Sequence, residues 1–514
     1  MTISAAAMCS IKTVPIEEQR GVALVIFVIM LALAGAAYTL ANVSLERMRA
    51  EESISTQAAL MQAKRALLDF AATYEDRKYT ATSAVERKKY AGQYGFLPCP
   101  DYLDAGEEGG ADGNCLARGV NAIGMFPWAT LETGVFKSGS GQCLWYAVSG
   151  EYKSSPKTRM LNEDTNGGFR LYNPDGTVRQ GALAQDRVAA MIIDPSIALA
   201  GQSRNYDDSS LCGKDYNPAA YLEGNGTINN ALLTGTPLAV DEFITRGIGT
   251  DEEASPFNDA LVTITRDELW DAIHSREDFV TNSNSTMKRL TEALALCIAA
   301  YGNASGNRKL PRPAPVDFSG ADYRLDANYS DTPGASYVGR FPYVVNDSDT
   351  ALGSSYAPND AEPILFEKGY CNELPLTVEP KIDLRKVPDE GSQSEPAYPT
   401  WKNWKDNFFY AVSSRYAPAS TAGAAACDGA SCIAVDGTEY AAVVIYAGSR
   451  MAGQVRNEPV AGDADTKKLL ANYLEVVDPI GDGTGDYTPT GDEDGKDIAF
   501  CITDENPFDV VGCP

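Results

Sequence analysis

One long uncharged run stands near the start of the chain, where apolar positions elsewhere come in short groups. Residues 22–41, VALVIFVIMLALAGAAYTLA, contain no charged side chain, and the charges before them stop at Arg20. Twenty helical residues at 1.5 Å each cover about 30 Å, the thickness of a hydrocarbon core. The pattern predicts a helix that spans a membrane at its start. Lys12 and Arg20 would remain on the cytoplasmic side.

Helix-forming residues continue beyond this run. Residues 44–74 lack Gly and Pro, so a single helix of about 80 Å is predicted over 22–74. Later segments rich in β-branched and aromatic residues, bounded by turn-forming residues, predict strands. They include CLWYAVS (143–149), RVAAMIID (187–194) and YAAVVIYAG (440–448). Helices followed by antiparallel strands predict the α+β fold class.

The body of the chain repeats itself. AAMIIDPSIALAGQSRN (189–205) matches AAVVIYAGSRMAGQVRN (441–457) without a gap. Other blocks recur in the same order: LPCP (97–100) and LPRP (310–313), IGMFPW (123–128) and VGRFPY (338–343), WYAVSGEY (145–152) and FYAVSSRY (409–416), DALVTIT (259–265) and DIAFCIT (497–503). The sequence therefore predicts a tandem duplication of helix-plus-sheet domains.

The predicted organisation has five parts. They are a leader (1–21), a membrane-spanning and filament-core helix (22–74), a first unit (75–280), a linker (281–286) and a second unit (287–514). The linker TNSNST is polar and turn-forming, which favours a boundary there.

The beginning of the chain resembles a known class of leader. A polar segment, then Gly21, then an uncharged helix from Val22 is similar to the class III signal peptides of type IV pilins and type II secretion pseudopilins. The resemblance implies that a prepilin peptidase cleaves between Gly21 and Val22 and that the new amino terminus at Val22 is methylated. It also implies assembly with other pilins or pseudopilins through the helix. The protein would lie in the bacterial inner membrane, with its body in the periplasm, before entering a filament.

One position departs from the family pattern. Most subunits of the family carry Glu as the fifth residue after the cut, and this chain has Ile26. The large subunit proposed for the tip of the type II secretion filament also lacks that Glu. A missing Glu and a large body imply a minor or tip-type subunit that caps or decorates a filament. The alternatives are a pilus-tip adhesin, with Trp401 and Trp404 as exposed aromatics, or an anchored periplasmic protein that never enters a filament.

The net charge bears on the possible partners, and the cysteines bear on disulfide bonds. The formal charge of −27 makes nucleic acid and anionic lipid poor partners. Of eleven cysteines, Cys9 lies in the predicted leader, and the even number that remains suits disulfide bonds in an exported body. Close spacing favours three pairs: Cys99–Cys115, Cys427–Cys432 and Cys501–Cys513.

Acidic loops are candidate calcium sites, because Ca²⁺ takes six to eight oxygen ligands. Asn162, Asp164 and Asn166 alternate ahead of Gly167, as in the first half of an EF-hand loop, although the twelfth position is Asn173 rather than Glu. A second group lies near the carboxyl end: Asp482, Asp486, Asp492 and Asp494. The other interpretation is that both loops are simply solvated.

Two further features bear on chemistry. The motif Gly-Gln-x-Arg occurs twice, with Gln202 and Arg204 in the first unit and Gln454 and Arg456 in the second. It is either a ligand clamp or a structural device in which the arginine ties a loop to an acid. The only histidine is His274, and no Gly-x-Ser-x-Gly, Walker or His-Glu-x-x-His motif is present. We therefore expect a structural protein and not an enzyme.

Overall fold

A computed structural model describes the greater part of the chain. The described residues are 16–74, 76, 93–102, 107–158, 160–205, 209–213, 215–246, 257–281, 285–304, 308–320, 322–331, 336–343, 345, 403–418, 426–428, 431–458, 464–474, 485–487 and 497–514. Side chains of α1 are described from residue 24 to 34 and from residue 46 onward.

Three α-helices of nine or more residues occur in this part of the chain. They are α1 (Ile16–Ala72), α2 (Arg266–His274) and α3 (Thr286–Ala304). Helix α2 begins with a capping box, in which the Thr265 hydroxyl accepts from the Glu268 N–H and the Glu268 carboxylate accepts from the Thr265 N–H. This reciprocal cap satisfies two backbone donors and fixes where α2 starts.

Strands form two main sheets and two small ones. The first sheet contains β1 (Ala122–Met125), β2 (Trp145–Val148), β3 (Phe169–Tyr172), β4 (Val178–Gln180), β5 (Val188–Asp194), β8 (Asp241–Ile244) and β9 (Ala260–Thr265). The second contains β10 (Val338–Arg340), β11 (Phe408–Val412), β14 (Ala442–Tyr446), β16 (Ile498–Ile502) and β17 (Val510–Gly512). The small sheets are β6 (Gly224–Asn225) with β7 (Ile228–Asn229), and β12 (Ile433–Val435) with β13 (Thr438–Tyr440) and β15 (Gly485–Tyr487).

The repeated sequence blocks occupy the same places in the two main sheets. Strands β1, β2, β5 and β9 pair antiparallel in that order, and β10, β11, β14 and β16 do the same. The register also agrees, since Gly124 faces Tyr146 as Gly339 faces Tyr410. In the first unit the β3–β4 hairpin belongs to the main sheet and carries β8 parallel to β3, and in the second unit the separate β12–β13 hairpin carries β15 parallel to β12. The predicted domain bounds themselves stay a prediction.

The two units cover the outer edge of their main sheets in different ways, at β9 in the first unit and at β16 in the second. In the second unit β17 pairs with β16. In the first unit no described strand pairs with the outer side of β9, and side chains take over instead. The Thr245 hydroxyl accepts from the Leu261 N–H at 3.1 Å, and Glu268 accepts from the Thr265 N–H at 3.0 Å. An exposed strand edge invites unwanted pairing, and both solutions prevent it.

One hydrophobic core lies between the inner faces of the two sheets. Alternate residues of the central strands reach it, such as Tyr146 and Ile192 from the first sheet and Tyr410 and Val444 from the second. The helices fill the space between them with Leu60, Ala63, Leu67, Leu269, Leu290 and Leu294. The opposite faces of the sheets pack against smaller clusters of loop residues. The units are therefore joined through a shared interior.

Helix α1 changes character along its length. Its buried residues Thr56, Ala59, Ala63, Leu67 and Phe70 recur every three or four positions, which places them on one face toward the core. Side chains 24–34 and 46–51 are all exposed. The later part of α1 is thus a core helix, and the described earlier part extends away from the body.

The predicted fold class is wrong. The described chain is mainly β-sheet with few helices, so the α+β description with a membrane-spanning helix and two helix-plus-sheet domains does not fit it. Within the described residues no helix is long and apolar enough to cross a membrane. The described apolar side chains of α1 run from 24 to 34, which cover about 16 Å, roughly half a hydrocarbon core. The inner-membrane location predicted from the same run is therefore not supported either.

The tight packing at Gly339 generates a stability prediction. A methyl group on Gly339 would overlap the carbonyl of Ala314, on the chain segment beside β10. We expect Gly339→Ala to lower the free energy of unfolding by about 2 to 3 kcal/mol, because backbone must move to make room. Gly512→Ala is the control, since nothing lies within 4 Å of its added methyl. Denaturant unfolding measures both, and equal effects would contradict the packing argument.

Candidate functional site

The first candidate site is the exposed apolar segment of α1, residues 24–34. Its large side chains are between 52% and 66% exposed: Leu24, Val25, Ile26, Phe27, Val28, Ile29, Met30, Leu31 and Leu33. Consecutive residues point to all sides of a helix, so the segment is apolar around its whole circumference. Folded soluble monomers rarely leave a contiguous apolar surface of this kind uncovered. The segment is therefore an apolar surface that no described residue covers.

The segment is carried by a helix that the body holds firmly. The Thr56 hydroxyl accepts from the Gly139 N–H at 3.0 Å, and Lys64 Nζ lies 2.5 Å from Glu268 of α2. From residue 24 to residue 52 the helix rises about 40 Å. The predicted processing positions Gly21 and Val22 lie in the backbone of α1, and Ile26 is exposed in the segment.

The second candidate is the contact between the two units around Asp164 and Arg456, which we call the seam. The predicted calcium ligands Asn162, Asp164 and Asn166 lie there. The Asn162 amide donates to the Asn403 carbonyl at 2.7 Å and to Asp406 at 2.6 Å. The Asn166 side-chain oxygen accepts from Arg266 at 3.0 Å. These loop residues therefore hold other parts of the protein.

The Asp164 carboxylate faces cations that belong to the protein. Arg456 lies at 3.8 Å and Lys467 at 3.9 Å, and the Tyr473 hydroxyl donates to it at 3.1 Å. A calcium ion here would have to replace two buried cations. Among the described residues no group of three or more His, Cys, Asp or Glu side chains is arranged to hold a metal. Asp482, Asp492 and Asp494 lie outside the described residues, and Asp486 lies in β15.

Ion pairs with little or no exposure continue along the seam. Arg456 Nη1 lies 2.6 Å from Glu163, and Lys467 Nζ lies 2.5 Å from Asp406. Burial raises the pKa of Glu163, whereas the neighbouring Arg456 guanidinium lowers it and favours the carboxylate. Buried pairs add little net stability, but removing one partner leaves an isolated buried charge and is costly. The seam is therefore sensitive to the loss of any single member.

A second arginine bridges the units beside this cluster. Arg324 of the second unit lies 2.9 Å from Glu151 of the first and 2.5 Å from Glu458. These three side chains border a cavity of about 30 Å³ with glycines on its walls. That volume admits one or two water molecules, and small-molecule sites are about ten times larger. The cavity gives no support to a ligand site.

His274 lies at the seam and contacts a serine and a carboxylate. Its Nδ1 is 2.9 Å from the Ser449 hydroxyl, and its Nε2 is 3.6 Å from Glu163. The residue types match a Ser-His-Glu set, but burial and the charge of Arg456 lower the pKa of His274 to about 4. Such an imidazole is a weak general base at neutral pH. The ring also stacks on Phe279 at 5.3 Å, which fits a structural role.

An aromatic group joins the units at the same place. Trp404 of the second unit packs edge-on against Trp270 at 5.2 Å and against Phe279 at 5.4 Å, and it is 1% exposed. Trp404 is therefore not an adhesive surface residue, as one alternative required. Trp401 lies outside the described residues.

The prediction of disulfide bonds is confirmed. The structure joins Cys99 to Cys115, Cys427 to Cys432 and Cys501 to Cys513, the pairs that close spacing favours. It also joins Cys143 to Cys212, which are 69 residues apart and carry no local signal of pairing. Disulfides of this number fit an oxidising compartment.

Comparisons with protein-family models, with curated proteins and with solved structures find no match to this chain.

The seam generates a prediction on stability. Arg456→Gln leaves Glu163 buried beside a neutral side chain and removes one of the two cations that face Asp164, so we expect the free energy of unfolding to fall by about 3 to 5 kcal/mol. Arg170→Gln is the matched control, because Arg170 pairs with Glu242 inside the first unit and both side chains are partly exposed. There the loss should stay below about 1 kcal/mol. Equal losses in denaturant unfolding would show that the seam ion pairs do not hold the units together.

His274 generates a prediction on pH. Its folded-state pKa of about 4 lies below the ordinary 6.5, so between these values the folded chain binds fewer protons than the unfolded chain. The resulting stability is complete above pH 6.5 and is lost as the pH falls toward 4. The difference amounts to about 3 kcal/mol.

We expect His274→Phe, which keeps an aromatic ring on Phe279, to remove this part of the acid destabilisation. Free energies of unfolding measured across the acid range would check it. Ser449→Ala is the control, since it removes the hydrogen bond and leaves the titrating ring in place. An unchanged acid dependence in His274→Phe would assign the effect to other groups.

Proposed function

We propose that this chain is a structural minor subunit of a type IV pilus-like or type II secretion filament. The observation that carries the proposal is the exposed apolar segment 24–34 on a helix held by the body. In a filament the same segments of neighbouring subunits pack side by side, which removes the apolar surface from water on every side. A helix that is apolar around its whole circumference suits this packing better than a single docking groove.

The size of the body supports a place at the tip or on the outside of the filament. The two units share one core and one seam, so the described body is carried as a whole at the end of α1. Ile26 in place of the family's Glu means that this chain offers no carboxylate at that position to the amino terminus of a neighbour. Capping or decorating the filament follows from the two features together. Processing between Gly21 and Val22 by a prepilin peptidase belongs to the same proposal.

A role in assembly rather than in catalysis is supported by the chemistry of the seam. His274 is buried with a lowered pKa, and Glu163 is engaged by Arg456. These groups act between the two units of the protein. We infer that the chain is not an enzyme.

The proposal is tested by a charge in the apolar segment. Ile29→Asp places a carboxylate where neighbouring helices would pack, so incorporation into sheared filaments should fall at least about tenfold. Ile54→Asp is the matched control, because Ile54 is 67% exposed on the same helix but outside the segment. Immunoblots of the filament fraction measure incorporation, and unfolding curves check that both bodies fold. Equal incorporation of the two variants would contradict the proposal.

A further inference from the structure

The loop after β5 and the loop after β14 are built in the same way. In the first unit the Gln202 side chain accepts from the Leu199 N–H at 2.9 Å, and in the second Gln454 accepts from the Met451 N–H at 3.0 Å. Each loop also contains an arginine over a tyrosine ring. Arg204 lies 4.8 Å from the Tyr221 ring centre and Arg456 lies 4.6 Å from that of Tyr473.

The same arginine atoms make the same backbone contacts. Arg204 Nε donates to the Ala220 carbonyl and its Nη1 to Ser196, while Arg456 Nε donates to Asn472 and its Nη1 to Gly448. All four acceptors are related by the repeat offset of the sequence. The loops are therefore two copies of one device, which we call the arginine loops.

The arginine loop of the second unit is covered by the first unit. Arg456 Nη1 also donates to Glu163, and the Tyr473 hydroxyl donates to Asp164. Two adjacent acidic residues of one unit thus occupy two adjacent donors of the other. The contact is heterologous, because different surfaces of the two units meet.

The arginine loop of the first unit has the same donors, but no acidic residue among the described residues binds them. Among the described residues Arg204 Nη1 donates only to the Ser196 carbonyl, while its Nη2 donates to Pro195, Gln202 and Tyr221. Tyr221 is 5% exposed, and its hydroxyl makes no hydrogen bond with a described residue. Glu223 is held by Gln202 and by the Asn258 N–H, so it does not fill the vacant donor. Ile197 beside them is 50% exposed. Arginine and tyrosine are enriched at protein interfaces.

The two arginine loops differ in one charged residue, and this difference indicates the charge pattern of a suitable partner. Lys467 lies 3.9 Å from Asp164 in the second unit, and the same offset places Asp215 at that position in the first. Asp215 lies beside the arginine loop, since its carboxylate accepts from the Asn205 N–H at 3.3 Å. The residue equivalent to Arg456, which binds Glu163, is again an arginine, whereas the residue equivalent to Lys467, which faces Asp164, is acidic. A partner of the first unit would therefore fit better with a basic group in the place of Asp164.

We propose that the first arginine loop, with Arg204, Tyr221, Asp215 and Ile197, is a docking surface for another protein chain. The partner segment presents an acidic side chain to Arg204 and, next to it, a basic side chain to Asp215. A second copy of this chain is the less suitable occupant, because the net charge of −27 makes two copies repel each other. The surface does not depend on the apolar segment of α1 and stands apart from the proposed filament role.

The test uses three synthetic peptides on the full chain. One carries residues 160–168 with Asp164→Lys, one carries the native residues 160–168, and one carries Asp164→Lys together with Glu163→Gln. Saturation-transfer NMR detects weak peptide binding and gives a Kd for each. The acidic–basic peptide should bind best, with a Kd about tenfold lower than that of the peptide lacking the acid. Equal binding of the three peptides, tighter binding of the native one, or no binding would overturn the proposal.

Variants of the chain locate the binding. Arg204→Gln should abolish the preference for the acidic peptide, and Tyr221→Phe should weaken binding without disturbing the fold, because that hydroxyl has no described partner. Arg179→Gln is the matched control, since Arg179 is an exposed arginine of the same unit in β4. Binding that is unchanged in Tyr221→Phe and Arg204→Gln, or reduced equally in Arg179→Gln, would contradict a site on the arginine loop.

Discussion

The rest of the structure depends on the burial of two sheet faces against one set of helices. The inner faces of the first and second sheets share a core with α2, α3 and the later part of α1. Short sheets of this kind are marginal alone and need apolar cover on at least one side. Because α1 supplies part of that cover, its later half is fixed in the body. Its earlier described segment must then extend outward with its apolar side chains uncovered.

The seam adds charge to the same junction. Glu163 and Asp164 of the first unit enter the second unit against Arg456, Lys467 and Tyr473. Buried ion pairs cost desolvation energy, so such an arrangement contributes orientation more than stability. It fixes the orientation of the two units, because a shift of one unit against the other would separate the buried charges from their partners. The arginine loop of the first unit repeats the geometry of the second, and among the described residues no carboxylate accepts from Arg204.

The sequence predicted what is local and repeated, and missed what depends on distant contacts. Equivalent blocks such as 145–152 and 409–416 carry the same strand register, and near neighbours such as Cys427 and Cys432 form disulfides. From sequence the acidic loop at Asn162 is a candidate calcium site, because its partners Asn403 and Asp406 lie about 240 residues away and give no local signal. Oxygen-rich spacing alone does not distinguish a metal from a buried arginine and lysine. The membrane-spanning helix is predicted from a run of which the side chains are described only from 24 to 34. The α+β class is predicted from helices followed by antiparallel strands, whereas the described chain is mainly β-sheet.

The central claim is that α1 enters a filament after processing at Gly21. The most direct measurement is the mass of the amino-terminal peptide, taken from filaments sheared from the cell surface. The account predicts a peptide that begins at Val22, carries one methyl group and is present in the sheared material. An intact amino terminus at Met1, together with absence of the chain from that material, would contradict it.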